Sequence, residues 1–443
     1  MIKVKNPFNA QVYLTLNNLN IVVDPWIKNG IYENSWCLNP EIDIEQCIKQ
    51  LKKADICLIS HIHEDHFDLS AINYLPEDCQ IILPNMWPNN IVAKRKLKNR
   101  NVRFFEIEKS YEIDDETVIR FIGPLNAEGH LSGKKEKDDS DKIVLDTGII
   151  IKNKTDSIVL LCDNFPWNFK QIEKETLKYI TECTLMALPF NSFADDFPVC
   201  FDSYTKKEKK EISLRRNEQR LNAILDFCKK VRPLNVMPYS SDFFIKGPRA
   251  IDFNDCHPED YKCRQAFSLR MKKDWDGNVI PVSENQILSI KNKKILIEGK
   301  YKKPNFKKIC NDLYSENPNN VYDKKSKSEI NELIKEASLN MFKKMNQLNL
   351  KSNWNLHIDV KDLNTLYNID LTLNKVSNKV CQKKYIKCNI NSGHLFDLLT
   401  FKTHWDNERI SYNLSWERSV DEYEPNINKS INFFHTILKE SKT

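Results

Sequence analysis

The chain holds 13 cysteines in 443 residues, yet no two form a Cys-x-x-Cys pair and no regular spacing joins them. An odd, scattered set argues against a disulfide framework and for a reducing compartment. No secretory leader is expected either, since Met1-Ile2-Lys3-Val4 runs into Asn6-Pro7 without a long apolar core. No run of apolar residues is long enough to span a bilayer, so a soluble, cytoplasmic protein without a membrane span is expected. Strong charge of one sign is also lacking. A net charge of +6 is mild for this length, and a dedicated nucleic-acid partner would call for a denser basic patch. Two basic stretches exist, Lys206–Arg220 and Lys291–Lys308. The first mixes Lys, Arg and Glu at helical spacing and reads as a solvated helix face; either can meet phosphates on a substrate. There is no internal repeat and no low-complexity linker.

What is present is an ordinary globular composition, 41% apolar and 10% aromatic. The length predicts two or three domains. Strands are predicted at Gln11–Leu16 and Leu19–Val23 (a hairpin), Ile56–Ile59, Gln80–Leu83, Val102–Ile107, Thr117–Ile122, Ile143–Ile151, Ser157–Cys162, Leu185–Leu188 and Asn235–Met237. Helices are predicted over Ile44–Lys53, Asn168–Thr181 and Lys207–Val231. Sequential strands with interspersed helices predict an α/β fold, an αββα sandwich of two packed sheets, over a doubly wound parallel sheet. A hairpin of Val279–Val282 with Gln286–Ile290 would close a first domain, 1–298, followed by a basic linker, 299–325, that contains Pro304. Residues 326–443 then predict a smaller α+β domain. Its helices are Ser326–Leu348, Ser392–Thr400 and Ile427–Leu438; its strands are Trp354–Val360, Leu366–Leu373, Tyr385–Ile390 and Arg409–Trp416.

The chemistry concentrates in Ser60-His61-Ile62-His63-Glu64-Asp65-His66. It follows an apolar strand, so His61 and His63 project to the same side, and Asp65 and His66 curl back where the strand turns. Imidazoles suit zinc or iron, and a carboxylate adds a hard anionic donor. A structural zinc site would favour cysteine and a closed shell; no cysteine lies in this cluster. Two ligand pairs so close together can serve two metals, one held by His61 and His63, the other by Asp65 and His66, which together can activate a shared hydroxide.

The cluster resembles the H-x-H-x-D-H signature of the metallo-β-lactamase superfamily. That resemblance implies a metal-bridging aspartate after a later strand, where Asp163 stands in Ile158-Val159-Leu160-Leu161-Cys162-Asp163. It implies an intermediate histidine, for which His130 is the candidate, and a last histidine near Pro238-Tyr239-Ser240, where none stands; His257 is the nearest substitute. Asp65 and Asp163 are the expected catalytic carboxylates. Further residues are similar to the hydroxylases of CMP-N-acetylneuraminate and UDP-N-acetylmuramate: Asp24-Pro25-Trp26, Asn191 through Phe201, Met237-Pro238-Tyr239-Ser240, His404-Trp405 and Arg409-Ile410-Ser411-Tyr412. Those relatives use iron and dioxygen and carry a Rieske iron–sulfur module, which needs Cys-x-His and Cys-x-x-His pairs. Neither pair occurs here, so electrons would come from a separate electron-transfer protein.

The resemblance implies an iron-dependent hydroxylase acting on a small, nucleotide-linked or otherwise polar metabolite, with one or two metals bound. Asn191, Asp195, Asp196 and Tyr239 are the expected substrate-binding residues. A zinc- or manganese-dependent hydrolase that uses a metal-bound hydroxide on an amide, ester or phosphodiester is the alternative. A non-catalytic scaffold would have no need of the complete His61, His63, Asp65, His66 and Asp163 set, and a nuclease would need steeply salt-dependent nucleic-acid binding.

Overall fold

The computed structural model describes residues 1–16, 18–86, 89–123, 146–163, 176–316, 322–377 and 383–436. Two large sheets face each other. The first has eight strands in the order Lys294–Glu298, Ile287–Lys291, Ile2–Lys5, Val12–Leu16, Leu19–Val23, Ile56–Leu58, Gln80–Pro84 and Val102–Phe105. The second has seven, ordered Asn278–Val279, Asn235–Tyr239, Leu185–Pro189, Ser157–Leu160, Gly148–Lys152, Val118–Ile122 and Tyr111–Glu112. Their inner faces meet in one apolar layer that includes Val4, Leu14, Val23 and Leu58 from the first sheet and Phe121, Ile151, Leu160 and Met237 from the second. Alternate residues of the same strands, such as Val22, Cys57, Val159 and Met186, turn outward into a second apolar cluster that helices cover. That two-sided burial explains why these strands read as nearly continuous apolar runs. The fold is an αββα sandwich.

The long helix Lys206–Val231 starts at a capping box of Thr205 and Glu208 and stops at Arg232, which is left-handed at φ 49° and precedes Pro233. A second capping box, Ser326 with Glu329, starts the helix Lys327–Gln347. That helix packs on a five-stranded sheet ordered Lys375–Ser377, Thr365–Asp370, Asn355–Val360, Tyr385–Ile390 and Ser415–Arg418. The C-terminal sheet shares the outer apolar cluster of the sandwich. Trp416 and Cys200 join the two parts through the backbone bond Trp416 N to Cys200 O at 2.8 Å.

Some of the expected elements differ in the structure. Val279–Val282 and Gln286–Ile290 do not form a hairpin: Asn278–Val279 pairs in parallel with Asn235–Val236 in the second sheet, while Ile287–Lys291 pairs with Ile2–Val4 in the first. The hairpin lies one strand later, between Ile287–Lys291 and Lys294–Glu298, across Asn292 and Lys293 at φ 50° and 67°. Two left-handed residues are what a tight hairpin turn needs, and the surrounding lysines hid the strand. Segment 299–325 holds a helix, Phe306–Tyr314, with Ile309, Cys310 and Leu313 buried. The strand expected over Ile143–Ile151 is observed as Gly148–Lys152, with 143–145 outside the described residues. The helix expected over Ile427–Leu438 is observed as Pro425–Ile431, and Arg409–Trp416 is split between the helix Trp405–Ser411 and the strand Ser415–Arg418. Most of Asn168–Thr181 lies outside the described residues. No described helix is long and apolar enough to cross a membrane.

Candidate metal centre

The fully apolar strand Ile56–Leu58 lies between two parallel neighbours and leads into Ser60. The adjacent strand Leu19–Val23 leads into Asp24, which is buried and left-handed at φ 45°. Asp24 accepts from Ser60 N and Ser60 Oγ, each at 2.7 Å, and lies 2.8 Å from His66 Nδ1. A carboxylate on Nδ1 sets the tautomer that leaves Nε2 free as a donor atom. After His63 the chain tightens through His66 N to His63 O (3.0 Å) and Phe67 N to His63 O (2.8 Å). That turn brings His66 beside His61, with ring centroids 4.1 Å apart.

Two groups of side chains converge closely enough to hold a metal: His61, His63 and Asp146, and His61, His66 and Asp163. His61 Nε2 lies 2.8 Å from His63 Nδ1, 3.4 Å from Asp146 Oδ1 and 3.9 Å from Asp163 Oδ2. His66 Nε2 lies 3.3 Å from Asp163 Oδ2 and 3.2 Å from Asp65 Oδ2. His66 Nε2 and Asp146 Oδ1 are buried without a hydrogen bond. Unsatisfied polar atoms of this kind need an explanation, and a cation supplies one. The surrounding groups hold the carboxylates in place: Tyr32 Oη donates to Asp65 Oδ1 at 2.6 Å, Asn9 Nδ2 to Asp65 Oδ2 at 3.1 Å, and Ser240 Oγ to Asp163 Oδ1 at 2.9 Å. Tyr32, Cys162, Ser240 and Ser241 are all left-handed, with φ between 47° and 65°. Such conformations persist in non-glycine residues where the surroundings enforce them.

Electrostatics fit a cation. Burial pushes the His61 imidazole well below its ordinary pKa, and the neighbouring His66 and His63 add to this, so it stays neutral and able to ligate. Burial works against a charged His66 too, but Asp65, Asp163 and Asp24 outweigh it and raise its pKa. Burial also opposes ionisation of Asp65 and Asp163, yet His66 outweighs it and lowers both. Asp146 is raised to about 6, chiefly by burial, although a fifth of its side chain is exposed.

The structure thus brings His61, His63, Asp65, His66 and Asp163 together. His130 lies outside the described residues. His257 belongs to neither ligand group: it packs against Phe193 and Phe253 at ring distances of 3.3 and 4.4 Å. Of the residues expected to bind substrate, Tyr239 is fully buried between the sheets with its hydroxyl 3.3 Å from Cys162 Sγ, because its side chain takes the inward phase of its strand. Asn191 is a buried linchpin, bonded to Ser241 O at 2.8 Å and accepting from Arg220. Asp195 and Asp196 line a cleft of about 560 Å³ between the sandwich and the C-terminal sheet, with Arg215, Arg216, Arg409 and Trp416. Arg216 binds Asp195 bidentately at 2.7 and 2.9 Å. Sequence reasoning missed Asp146, Asn9, Tyr32 and the role of Asp24.

A strand-end H-x-H-x-D-H cluster now sits at the mouth of an αββα sandwich. The fold is metallo-β-lactamase-like. No protein-family model matches the chain. It is 24% identical over 250 residues to the cytidine monophosphate-N-acetylneuraminic acid hydroxylase of Xenopus laevis, covering 54% of this chain and 38% of that protein. The chain therefore spans well under half the length of that relative. Among solved structures it is similar to an isothiocyanate hydrolase from Delia radicum gut bacteria, at 14% identity and a TM-score of 0.44, covering 65% of this chain and 98% of that one. It is also similar to CmlA, a diiron β-hydroxylase from Streptomyces venezuelae, at 12% identity and a TM-score of 0.42, covering 64% and 53%.

Proposed function

We propose that the chain is an iron-dependent hydroxylase of a polar small molecule, with electrons delivered by a separate donor protein. The observation that carries this reading is the donor set. Each convergent group joins two imidazoles to one carboxylate and contains no cysteine, the ligand combination of non-haem iron oxygenases. His61, His63 and Asp146 would hold one ion. Because His61 offers only Nε2 to both groups, a second ion would rest on His66, Asp65 and Asp163. Bound iron would supply redox activation of dioxygen. The partial likeness to a nucleotide-sugar hydroxylase supports the same direction.

The chain's own residues do the positioning. Asp24 fixes the His66 ring, Tyr32 and Asn9 fix Asp65, and Ser240 fixes Asp163. Asp65 and Asp163 thus act as preorganised metal-facing carboxylates, and preorganised charge needs no rearrangement during reaction. The interdomain cleft is of ordinary size for a small-molecule site. Its Arg409 makes no ion pair among the described residues and suits an anionic substrate group such as a phosphate, while Asp196 and the Trp416 indole supply hydrogen-bonding groups.

The test is metal analysis of protein purified with and without air, followed by oxygen-uptake measurements with chemical reductants. Iron at one or two equivalents with reductant-dependent uptake is expected. Zinc alone, no uptake with any reductant, and cleavage of a generic ester, amide or phosphodiester would establish the hydrolase instead. His63→Ala and Asp163→Ala should each lower metal content and abolish turnover while leaving the far-ultraviolet circular dichroism unchanged.

A further inference from the structure

The strand Lys294–Glu298 forms one edge of the eight-stranded sheet. Among the described residues its backbone bonds to no segment other than Ile287–Lys291. Natural edges are normally blunted by a covering element, a proline or a bulge, because an open row of amides and carbonyls is a template for another strand. Of the devices that blunt an edge this one has charge alone, Lys294 and Glu298 at its two ends; it holds no proline or bulge, and no strand covers it among the described residues. Its outer positions are strongly apolar for a surface: Leu296 is 63% exposed and Ile297 44%.

The sequence of the strand is Lys-Ile-Leu-Ile-Glu, which is complementary to itself when reversed. We propose that two copies of this chain join through this edge, antiparallel and centred on Leu296, to make one continuous sheet across a two-fold axis. In that register Lys294 faces Glu298 of the second copy at both ends, Ile295 faces Ile297, and Leu296 faces Leu296. Lys294 and Glu298 are both exposed and make no ion pair among the described residues, and Lys294 instead stands opposite Lys291 across its own hairpin. The second copy supplies the missing opposite charge at each. Opposite charges and apolar pairs directly across two strands are the favourable combinations; like charges are unfavourable.

The register is specified. Sliding by two residues sets Lys294 against Lys300 in one direction and against Leu296 in the other, and in neither case does it meet Glu298. The contact is isologous and closes on itself, so it yields a dimer and not a filament. A single strand pair buries less than the roughly 1,000 Å² typical of stable complexes, so the association is weak and its monomer–dimer transition falls within a concentration series.

Light scattering coupled to size exclusion, over a concentration series of the full chain, reads this directly. The wild type should pass from monomer to dimer with rising concentration. Lys294→Glu alone and Glu298→Lys alone should each weaken the dimer at least tenfold, since each puts like charges opposite at both ends. The double variant Lys294→Glu/Glu298→Lys should return to within about threefold of wild type. As a register check, Leu296→Cys should form an interchain disulfide on mild oxidation and Ile297→Cys should not, because only position 296 meets itself at bridging distance; the described native cysteines are all buried. A wild type that stays monomeric, growth beyond the dimer, a dimer indifferent to the single reversals, or no recovery in the double variant would each overturn the proposal.

Discussion

Asp196 offers a test of the cleft between the sandwich and the C-terminal sheet that requires no substrate. Its side chain is buried, its Oδ2 makes no hydrogen bond, and burial raises its pKa to about 7 against the partial opposition of Arg409. A carboxyl raised in the folded state contributes stability that is fully present below its ordinary pKa and is lost as pH rises through the folded value. Between pH 5 and 7 the unfolded chain carries the group ionised while the folded protein keeps it protonated. Each pH unit then removes about 1.4 kcal/mol, or about 3 kcal/mol over that window. Asp196→Asn keeps the shape and removes the titration. Urea unfolding of wild type and variant, at pH 5 and pH 8 under one fixed metal condition, isolates the effect because every other group titrates alike in both. The stability of the variant relative to wild type should improve by about 3 kcal/mol from pH 5 to pH 8. A relative stability that stays constant between the two pH values would refute the raised pKa and, with it, the account of Asp196 as a protonated, hydrogen-bonding wall of the cleft.

Other outcomes follow from the metal centre. Asp24→Asn removes the carboxylate on His66 Nδ1, and metal affinity measured by chelator competition should fall about 10- to 100-fold. Asp146→Ala should remove one metal equivalent and spare the other, because Asp146 belongs to only one of the two ligand groups; loss of both ions by elemental analysis would contradict that partition. Tyr32→Phe deletes the 2.6 Å bond to Asp65, a charge-assisted contact worth about 1.5–3 kcal/mol. Acid titration of metal release should show the ion leaving at higher pH than in wild type.

The sandwich was legible because its strands are apolar on both phases, and the first histidine group because it is contiguous and follows such a strand. Asp146 was not read as a ligand, although the information was there. The pairing Ile149 with Leu160, continued three residues along the hairpin, sets Asp146 directly opposite Asp163. An acid within the run Ile143–Ile151, in register with the candidate ligand Asp163, was the available signal. Asn9 and Tyr32 gave none, since each reaches Asp65 from a turn whose path depends on tertiary packing. Tyr239 failed for the opposite reason: adjacency to a loop suggested function, whereas strand phase put its ring into the core. The edge strand Lys294–Glu298 was obscured by its lysines, which read as a basic linker.

The loop that delivers Tyr32 to Asp65 is gripped from the far end of the chain. Glu33 accepts from Thr403 through its carboxylate and from Asn413 through its carbonyl, and Trp36 Nε1 donates to Ile410 O at 2.8 Å. The C-terminal region is therefore no removable appendage. A truncated chain ending before Ser326 would strip those partners from the loop and uncover Trp36 and Phe201 together. Asp65 would lose the support of Tyr32 even with every candidate ligand still in the sequence, so shortening this protein to its sandwich should loosen the candidate metal centre.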